Sequence, residues 1–393
     1  MRPLALLAAC LLALPSRAAP NDGLQVYGGT GFGYDDNLLR VPEGGAAFRG
    51  MRADRWWQRE AGLLFDKTYG RQRISLVAKL SRYSFDRFGQ LDYNGKDLQA
   101  TWFWQFGNRL EGKAGMLQEQ VLASYTDLQS DQRNLRHRRV RFVEGAWHFH
   151  PSWQVRAGLR RDTYHYELFV QRFNDRTEDA AEIGFDYLPA SGSTVGLVAR
   201  RIEGRYPYAR GIGSAASADS FTQDELKARV LWRASGTSSI DALVGYTRRD
   251  QPSYCSGRAS GLMGRIDASY QPRGKVTYSA ALWRDFAPFE SSDVSYTLNN
   301  GASIGARWDA SAKIRIDASA AYVRRNYAAR AGAVGLEGGR DAIRARSLSA
   351  TWSPRPTLQV KATLAHEART GAGPLSSTAI RSNSMTLSAS AQF

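Results

Sequence analysis

The sequence is built from segments in which apolar and polar residues alternate. The connections between these segments are alternately short and long along the chain. In segment 98–106, Leu, Ala, Trp, Trp and Phe occupy every second position, and segment 314–322 repeats the pattern with Ile, Ile, Ala, Ala and Tyr. Such alternation indicates β-strands whose two faces meet different surroundings. No segment shows a comparable helical period, so we expect an all-β chain.

The order of the connections indicates which β architecture the strands form. Short connections are expected at residues 67–71, 107–109, 151–152, 189–192, 235–238, 271–274, 309–312 and 353–356. Longer ones are expected at 35–54, 86–92, 125–135, 169–176, 207–220, 250–257, 287–293, 328–341 and 370–379. Strict alternation of short turns with longer loops is typical of an outer-membrane barrel. These eight short and nine long connections predict a single transmembrane antiparallel β-barrel of about 18 strands.

Aromatic residues gather beside the predicted short turns, where they would form the interfacial belt of a membrane barrel. They are Trp102, Trp104, Phe106, Trp147, Phe149, Trp153, Trp232, Trp308 and Trp352. The last strand ends on Phe393, which resembles the signal read by the barrel-assembly machinery, an expected partner. Pairing of this strand with the first, 24–34, would leave no open sheet edge, as lipid requires.

The N-terminal residues have the composition of an export signal. Arg2 precedes an apolar stretch, and Ser16 and Ala18 occupy the −3 and −1 positions of a cleavage site. We therefore expect a cleaved signal peptide at 1–18 and one barrel domain at 19–393, in the Gram-negative outer membrane. The residues before Cys10 also match a lipoprotein box, but the apolar run continues past this cysteine, which favours ordinary cleavage.

The chain is strongly basic, with 53 Lys and Arg against 37 Asp and Glu and a formal charge of +16. In a cytoplasmic protein this excess would suggest nucleic acid as a partner. An exported chain is not expected to meet nucleic acid. We therefore look for the role of the basic residues in the barrel lumen and at the membrane surface.

If the apolar phase of each strand faces lipid, the basic residues of the other phase face the lumen. The residues assigned to the lumen as polymer contacts are Arg156, Arg160, Arg200, Lys227, Arg229, Arg233, Arg265, Arg307 and Arg315. Acidic residues share these faces, so a hydrated wall of salt bridges is the alternative. Arg outnumbers Lys by 45 to 8, which suits bidentate contact with carboxylates and sugar hydroxyls, although a GC-rich genome produces the same bias.

Four Arg-Arg dipeptides, at 160–161, 200–201, 248–249 and 324–325, lie where a strand approaches a long connection. Neighbouring residues of a strand point to opposite faces. One arginine of each pair is thus expected at the lumen mouth and the other in the outer leaflet, against lipopolysaccharide phosphates. The outward members are assigned as Arg161, Arg201, Arg249 and Arg325.

No pattern in the sequence predicts catalysis, a metal site or a cofactor. The glycine-rich run 29–33 is not followed by a helix, so it does not predict a phosphate-binding loop and favours a bend in the first strand. The five His residues are scattered, and no Ser-His-Asp grouping falls on one rim. We therefore expect a protein that is not an enzyme.

Four segments carry a family resemblance. They are 34–40 (Tyr-Asp-Asp-Asn-Leu-Leu-Arg), 65–73 (Phe-Asp-Lys-Thr-Tyr-Gly-Arg-Gln-Arg), 91–95 (Leu-Asp-Tyr-Asn-Gly) and 102–108 (Trp-Phe-Trp-Gln-Phe-Gly-Asn). The chain resembles the EpsL family, outer-membrane proteins of exopolysaccharide gene clusters that are often associated with exosortase systems. This resemblance implies a role in polysaccharide biosynthesis or export. It implies a secreted polysaccharide as a partner and carries no catalytic residues. An 18-stranded basic barrel is also similar to the alginate exporter and to barrels proposed to complete translocons with short periplasmic export proteins, which implies such a protein as a further partner.

Three functions are consistent with the sequence. The first is a conduit through which a secreted polysaccharide crosses the outer membrane. The second is a passive porin for small anionic or sugar solutes, and the third is a non-conducting scaffold for the synthesis machinery. The connection 35–54 is long enough to fold inward and narrow a pore, although its Pro-Glu-Gly-Gly sequence is also consistent with a mobile loop.

Overall fold

The computed structural model describes residues 23–127, 129–210, 217–252, 257–272, 274–291, 294–330, 338–372 and 379–393. The predicted signal peptide at 1–18 lies outside these residues. Two short 3₁₀ helices, Gly89–Leu91 and Phe169–Asn174, are described, and neither has the length or hydrophobicity of a membrane-spanning helix. The strands in chain order are β1 (Leu24–Asp35), β2 (Asp54–Tyr69), β3 (Gln72–Phe85), β4 (Tyr93–Phe106), β5 (Leu110–Leu122), β6 (Leu135–His150), β7 (Trp153–Tyr166), β8 (Arg176–Tyr187), β9 (Thr194–Arg210), β10 (Ser217–Ser235), β11 (Ser238–Asp250), β12 (Arg258–Tyr270), β13 (Val276–Ala287), β14 (Val294–Asp309), β15 (Ile314–Ala329), β16 (Arg340–Arg355), β17 (Leu358–Ala372) and β18 (Ile380–Gln392).

The strands form one antiparallel sheet in which each strand pairs with its sequence neighbours and β1 also pairs with β18. The β1–β18 register runs from Tyr27 opposite Gln392 to Asp35 opposite Ser384. Beyond it, the backbones of Val26 and Phe393 exchange two hydrogen bonds of 3.0 and 2.8 Å. The sheet is therefore closed, and the prediction of an 18-stranded antiparallel barrel is confirmed.

The connections alternate in length as predicted. Turns as short as 70–71 and 151–152 lie at one end, and loops as long as 36–53 lie at the other. The connection expected at 207–220 is shorter than predicted, because β9 extends to Arg210 and β10 begins at Ser217. The two strands remain paired in this region, with Tyr206 opposite Asp219. Pairing satisfies the backbone N–H and C=O groups with hydrogen bonds, so the polar residues there remain in strand conformation.

The two faces of the barrel wall differ as the period-2 pattern requires. Leu226, Leu262 and Ile304 are 60–67% exposed on the outer face, whereas Met263, next to Leu262, is 3% exposed on the inner face. Many inner positions are polar and buried, including Gln223 and Thr247. This distribution is that of a wall between lipid and a polar lumen.

The nine aromatic residues predicted beside short turns form a belt on the outer surface at that end. Trp104 packs against Phe106 with ring centroids 5.4 Å apart, and Trp153 packs against Phe185 at 5.0 Å. The other members are 38–55% exposed: Trp102, Phe106, Trp147, Phe149, Trp232, Trp308 and Trp352. Indole and phenyl rings prefer the membrane interface, so this belt marks the periplasmic boundary of the bilayer.

At the extracellular end, three consecutive loops share a small hydrophobic core. Leu39 of loop 36–53, Phe88 and Leu91 of the β3–β4 loop are fully buried, and Tyr125 of loop 123–134 is 5% exposed. Burial of these side chains holds the loops to one another. Loop 36–53 is thus fixed over its neighbours rather than free.

Candidate functional site

The inner wall formed by β7–β10 carries a row of paired charges. Asp186 of β8 is fully buried and binds Arg156 Nε at 2.5 Å, with Arg229 Nη1 3.8 Å away. Gln154 Nε2 donates a further hydrogen bond to Asp186 at 2.8 Å. Two arginines and one amide thus share a single carboxylate.

The row continues toward the extracellular end through two glutamates. Arg200 binds Glu182 and also lies 3.5 Å from Glu225. Glu225 in turn accepts from Lys227 Nζ at 2.9 Å. Arg156 links this group to the first, since its Nη1 lies 3.4 Å from Glu182.

A third group surrounds Asp162 of β7. Its oxygens accept from Arg160 Nε at 2.5 Å and from Arg138 Nη2 at 3.0 Å. Across the three groups, six cations share four carboxylates. The six cations are Arg138, Arg156, Arg160, Arg200, Lys227 and Arg229, and the four carboxylates are Asp162, Glu182, Asp186 and Glu225. The row therefore retains a net positive charge.

The remaining lumenal arginines predicted from the sequence also point inward. Arg265 binds Asp267 at 2.7 Å and lies over the Trp283 ring. Arg307 binds Asp317 at 2.9 Å, and Arg315 binds Asp309 at 2.7 Å. Arg233 lies beside Gly192 at the periplasmic end. All nine residues assigned to the lumen lie on the inner face, and eight of them are in ion pairs, as a salt-bridged wall would require.

The charge row borders a cavity of about 640 Å³ inside the barrel. Its lining includes five cations and five carboxylates. The cations are Arg71, Lys113, Arg156, Arg160 and Arg200, and the carboxylates are Glu111, Glu144, Asp162, Glu178 and Glu182. This volume is within the range of small-molecule binding sites. The inner wall can therefore hold a solute of sugar size against arginine side chains.

One loop crosses the lumen at the extracellular end of the barrel. Loop 123–134 joins β5 to β6, yet Asp127 Oδ1 lies 2.9 Å from Arg325 Nη2 of β15 and 3.5 Å from Arg369 of β17. Both arginines also bind Asp341 of β16 at 2.6 Å, and Arg369 donates to the Thr126 carbonyl. Five strands separate β5 from β17 along the shorter way around the wall, so the loop narrows the pore.

A second loop enters from another side. Glu290, between β13 and β14, accepts a 2.8 Å hydrogen bond from the Tyr166 hydroxyl of β7, and five strands separate β7 from β13. Next to it, Phe289 packs on Tyr327 with ring centroids 5.1 Å apart. The inward fold that the sequence suggested for connection 35–54 is thus provided by these two loops, because the apolar residues of 36–53 are used in the shared core of its neighbours.

Two of the four arginines assigned to the outer leaflet were assigned to the wrong face. Arg161 and Arg201 point outward and are 57% and 59% exposed, but Arg249 and Arg325 lie on the inner face and are 2% and 6% exposed. Strict alternation explains the error. Tyr246 and Tyr322 face outward, so two residues later it is Arg248 and Arg324 that face outward.

The closed sheet, the aromatic belt and the polar lumen define an integral β-barrel protein of the Gram-negative outer membrane. Solved structures with this fold include the Pseudomonas aeruginosa outer membrane protein opdK, with TM-score 0.50, 12% identity, and coverage of 94% of this chain and 99% of that chain. Another is P. aeruginosa OccK2 (OpdF) in complex with glucuronate, with TM-score 0.51, 12% identity, and coverage of 94% and 98%. At this identity the likeness concerns the fold. No protein-family model matches the chain, and no curated protein matches its sequence.

Proposed function

We propose that the barrel is a channel for anionic solutes, with carboxylated sugars as the class of substrate and no chemistry of its own. The observation that carries this proposal is the charge row, in which six cations share four carboxylates and from which Arg156, Arg160 and Arg200 reach the 640 Å³ cavity. Arginine forks bind carboxylates in a planar, bidentate manner and also reach sugar hydroxyls. Glucuronate bound to OccK2, a barrel of the same fold, supports this choice of substrate class.

The row contains cations that can be removed without leaving a carboxylate unpaired. Without Arg160, Asp162 retains Arg138; without Lys227, Glu225 retains Arg200; without Arg229, Asp186 retains Arg156. The triple variant R160Q/K227Q/R229Q thus lowers the net charge of the row by three at little structural cost. A change in the ion selectivity of this variant could therefore not be attributed to a less stable barrel.

The experiment measures reversal potentials of single channels in planar bilayers under a KCl gradient, with and without glucuronate. We expect anion preference in the natural protein and its loss or reversal in R160Q/K227Q/R229Q. The outward variant R161Q/R201Q/R248Q removes the same number of charges from the other face and should leave the potential unchanged. Equal selectivity in all three proteins would refute the proposal, and the absence of any conductance would favour a scaffold.

A second candidate function is the export of a polysaccharide. It is favoured by side-chain contacts at two of the segments that resemble the EpsL family, 65–73 and 102–108. Arg73 donates two hydrogen bonds of 2.8 and 2.6 Å to Asp66 across the β2–β3 hairpin, and Arg71 Nη1 donates to Asn108 Oδ1 at 2.9 Å. Residues from two of the four segments therefore form one linked rim on the periplasmic turns. Such a rim is suited to contact a periplasmic export protein.

Polymer export would require loops 123–134 and 288–291 to move from the lumen. Deletion of the gene should then abolish surface polysaccharide, and D66N/R73Q should reduce it at normal barrel levels. Normal polysaccharide in the deletion strain would exclude this candidate while leaving the anion channel intact.

A further inference from the structure

The outer face of the barrel carries a second set of arginines, at the extracellular end of the strands. Along β7–β12 these arginines have carboxylate partners on the same face. The pairs are Arg161–Asp179 at 2.5 Å, Arg205–Asp179 at 3.3 Å, Arg201–Asp224 at 3.5 Å, Arg248–Asp250 at 3.0 Å and Arg258–Asp250 at 2.7 Å. This side of the barrel therefore neutralises its own outward charge.

The adjoining strands β13–β16 differ. Arg284 of β13, Arg324 of β15, and Arg344 and Arg346 of β16 are exposed on the outer face, and among the described residues no carboxylate lies within 4 Å of them. We call these four residues the outer arginine patch. Its charges have no counter-ion on the described barrel surface.

The strand register brings the four residues together. Arg284 lies opposite Asn300 of β14, which lies opposite Arg324, and Arg344 lies opposite Tyr322, two residues from Arg324. Arg284 Nη1 donates to Asn300 Oδ1 at 3.2 Å. With strands about 4.8 Å apart and residues about 3.3 Å apart along each strand, the patch spans about 15 Å of the wall.

The depth of the patch follows from the aromatic belt. Arg346 and Arg344 lie six and eight residues beyond Trp352 on β16, and Arg284 lies six residues beyond Tyr278 on β13. Arg324 lies opposite Ala342, ten residues beyond Trp352. At about 3.3 Å per residue and a tilt of about 40°, the patch lies about 15–25 Å above the periplasmic belt, in the upper part of an apolar band about 25 Å tall. Flexible arginine side chains can extend from there into the headgroup layer.

We propose that the outer arginine patch is a binding site for the phosphate groups of an anionic glycolipid of the outer leaflet. A lipid-facing charge near this depth needs a counter-charge from the bilayer, and arginine forks bind phosphate oxygens in bidentate fashion. Because the four arginines lie within reach of a single headgroup, we expect a lipid that carries more than one phosphate group. The outer arginine patch thus takes its counter-charge from lipid phosphate, whereas Arg161 and Arg201 are already paired with protein carboxylates.

The test uses the full-length barrel in nonionic detergent, titrated with diphosphorylated lipid A, with the same lipid after dephosphorylation, and with inorganic phosphate. R324Q/R344Q/R346Q is compared with the natural protein and with R161Q/R201Q/R248Q, and heat-modifiable migration verifies folding of each variant. We expect affinity for the diphosphorylated lipid to fall at least tenfold in the patch variant and less than twofold in the control. Binding of dephosphorylated lipid should be at least tenfold weaker in the natural protein.

Three results would overturn the proposal. They are equal loss of affinity in both triple variants, unchanged affinity in the patch variant, and complete competition by millimolar inorganic phosphate, which would indicate a site for the free ion. If R324Q/R344Q/R346Q fails to fold, R324K/R344K/R346K serves instead. Lysine keeps the charge but loses the fork, so we expect an intermediate affinity, and natural affinity in this variant would refute bidentate phosphate binding.

Discussion

Asp127 and Arg325 form an ion pair of 2.9 Å although the chain places them 198 residues apart, one in the β5–β6 loop and the other on the inner face of β15. Arg325 also binds Asp341 at 2.6 Å. The pair therefore fastens a loop across the lumen to a buried charge cluster on the far wall. This attachment holds the loop inside the barrel lumen.

We expect Asp127→Asn to raise single-channel conductance about twofold or more, because Arg325 and Arg369 retain Asp341 while the loop loses its charged anchor. Asp131→Asn is the matched control. It lies in the same loop, where it faces the exposed Arg49 at 3.6 Å, and should leave conductance unchanged. Unchanged conductance in Asp127→Asn would show that other contacts fix the loop.

The second crossing loop is expected to respond to pH. Burial raises the pKa of Glu290, and Asp127 raises it further, whereas the hydrogen bond from Tyr166 and the charges of Arg136 and Arg176 lower it. Because the pKa is raised in the docked loop, docking is most stable below the usual pKa of glutamate and weakens as pH rises through the raised value.

Conductance should therefore increase from pH 4.5 to pH 7.5. Glu290→Gln should abolish this change, because the amide keeps an acceptor for Tyr166 and cannot ionise. Glu167→Gln alters an exposed loop carboxylate that pairs with Arg133 and should leave the pH response intact. A pH response that survives in Glu290→Gln would assign it to another group.

The two arginines that share Asp186 should differ in their effect on stability. Arg156 contacts this buried carboxylate at 2.5 Å, whereas Arg229 approaches no closer than 3.8 Å. Removing one partner of a buried pair costs about 3–5 kcal/mol. We expect Arg156→Gln to lower the free energy of unfolding by about that amount in urea titrations, and Arg229→Gln by less than about 1 kcal/mol. Equal effects on the free energy of unfolding would contradict this difference between the two arginines.

Gly301 of β14 should not tolerate a side chain. A Cβ at this position would lie 2.0 Å from the Trp283 ring, which occupies the space above the glycine on the inner face. Overpacking of this kind costs about 1–3 kcal/mol, so Gly301→Ala should lower the urea midpoint. Gly236→Ala, in a turn with no atoms within 4 Å, serves as the control. A higher midpoint in Gly301→Ala would show that the ring moves aside at little cost.

The strand pattern of this chain could be predicted because lipid and water impose the alternation residue by residue. The same alternation also predicts the correct faces of Arg249 and Arg325, since the outward Tyr246 and Tyr322 lie three residues earlier and an odd spacing places the arginines on the inner face. By contrast, the crossing of loop 123–134 depends on Asp127 meeting Arg325 and Arg369, and no local pattern links residues so distant in sequence. The sharing of Asp186 by two arginines likewise depends on register between strands, which the sequence leaves open.

The pairing of β1 with β18 has a consequence for how the protein is made. Ser382 Oγ donates to Asp35 Oδ1 at 2.7 Å across 347 residues, which makes this seam a contact of very high sequence separation. Closure of so long a loop is a late and entropically costly folding step. Until it occurs, the growing sheet has two unpaired edges that can join to other chains. The yield of functional barrel will therefore be set by how long the exported chain is kept from aggregating before β18 meets β1.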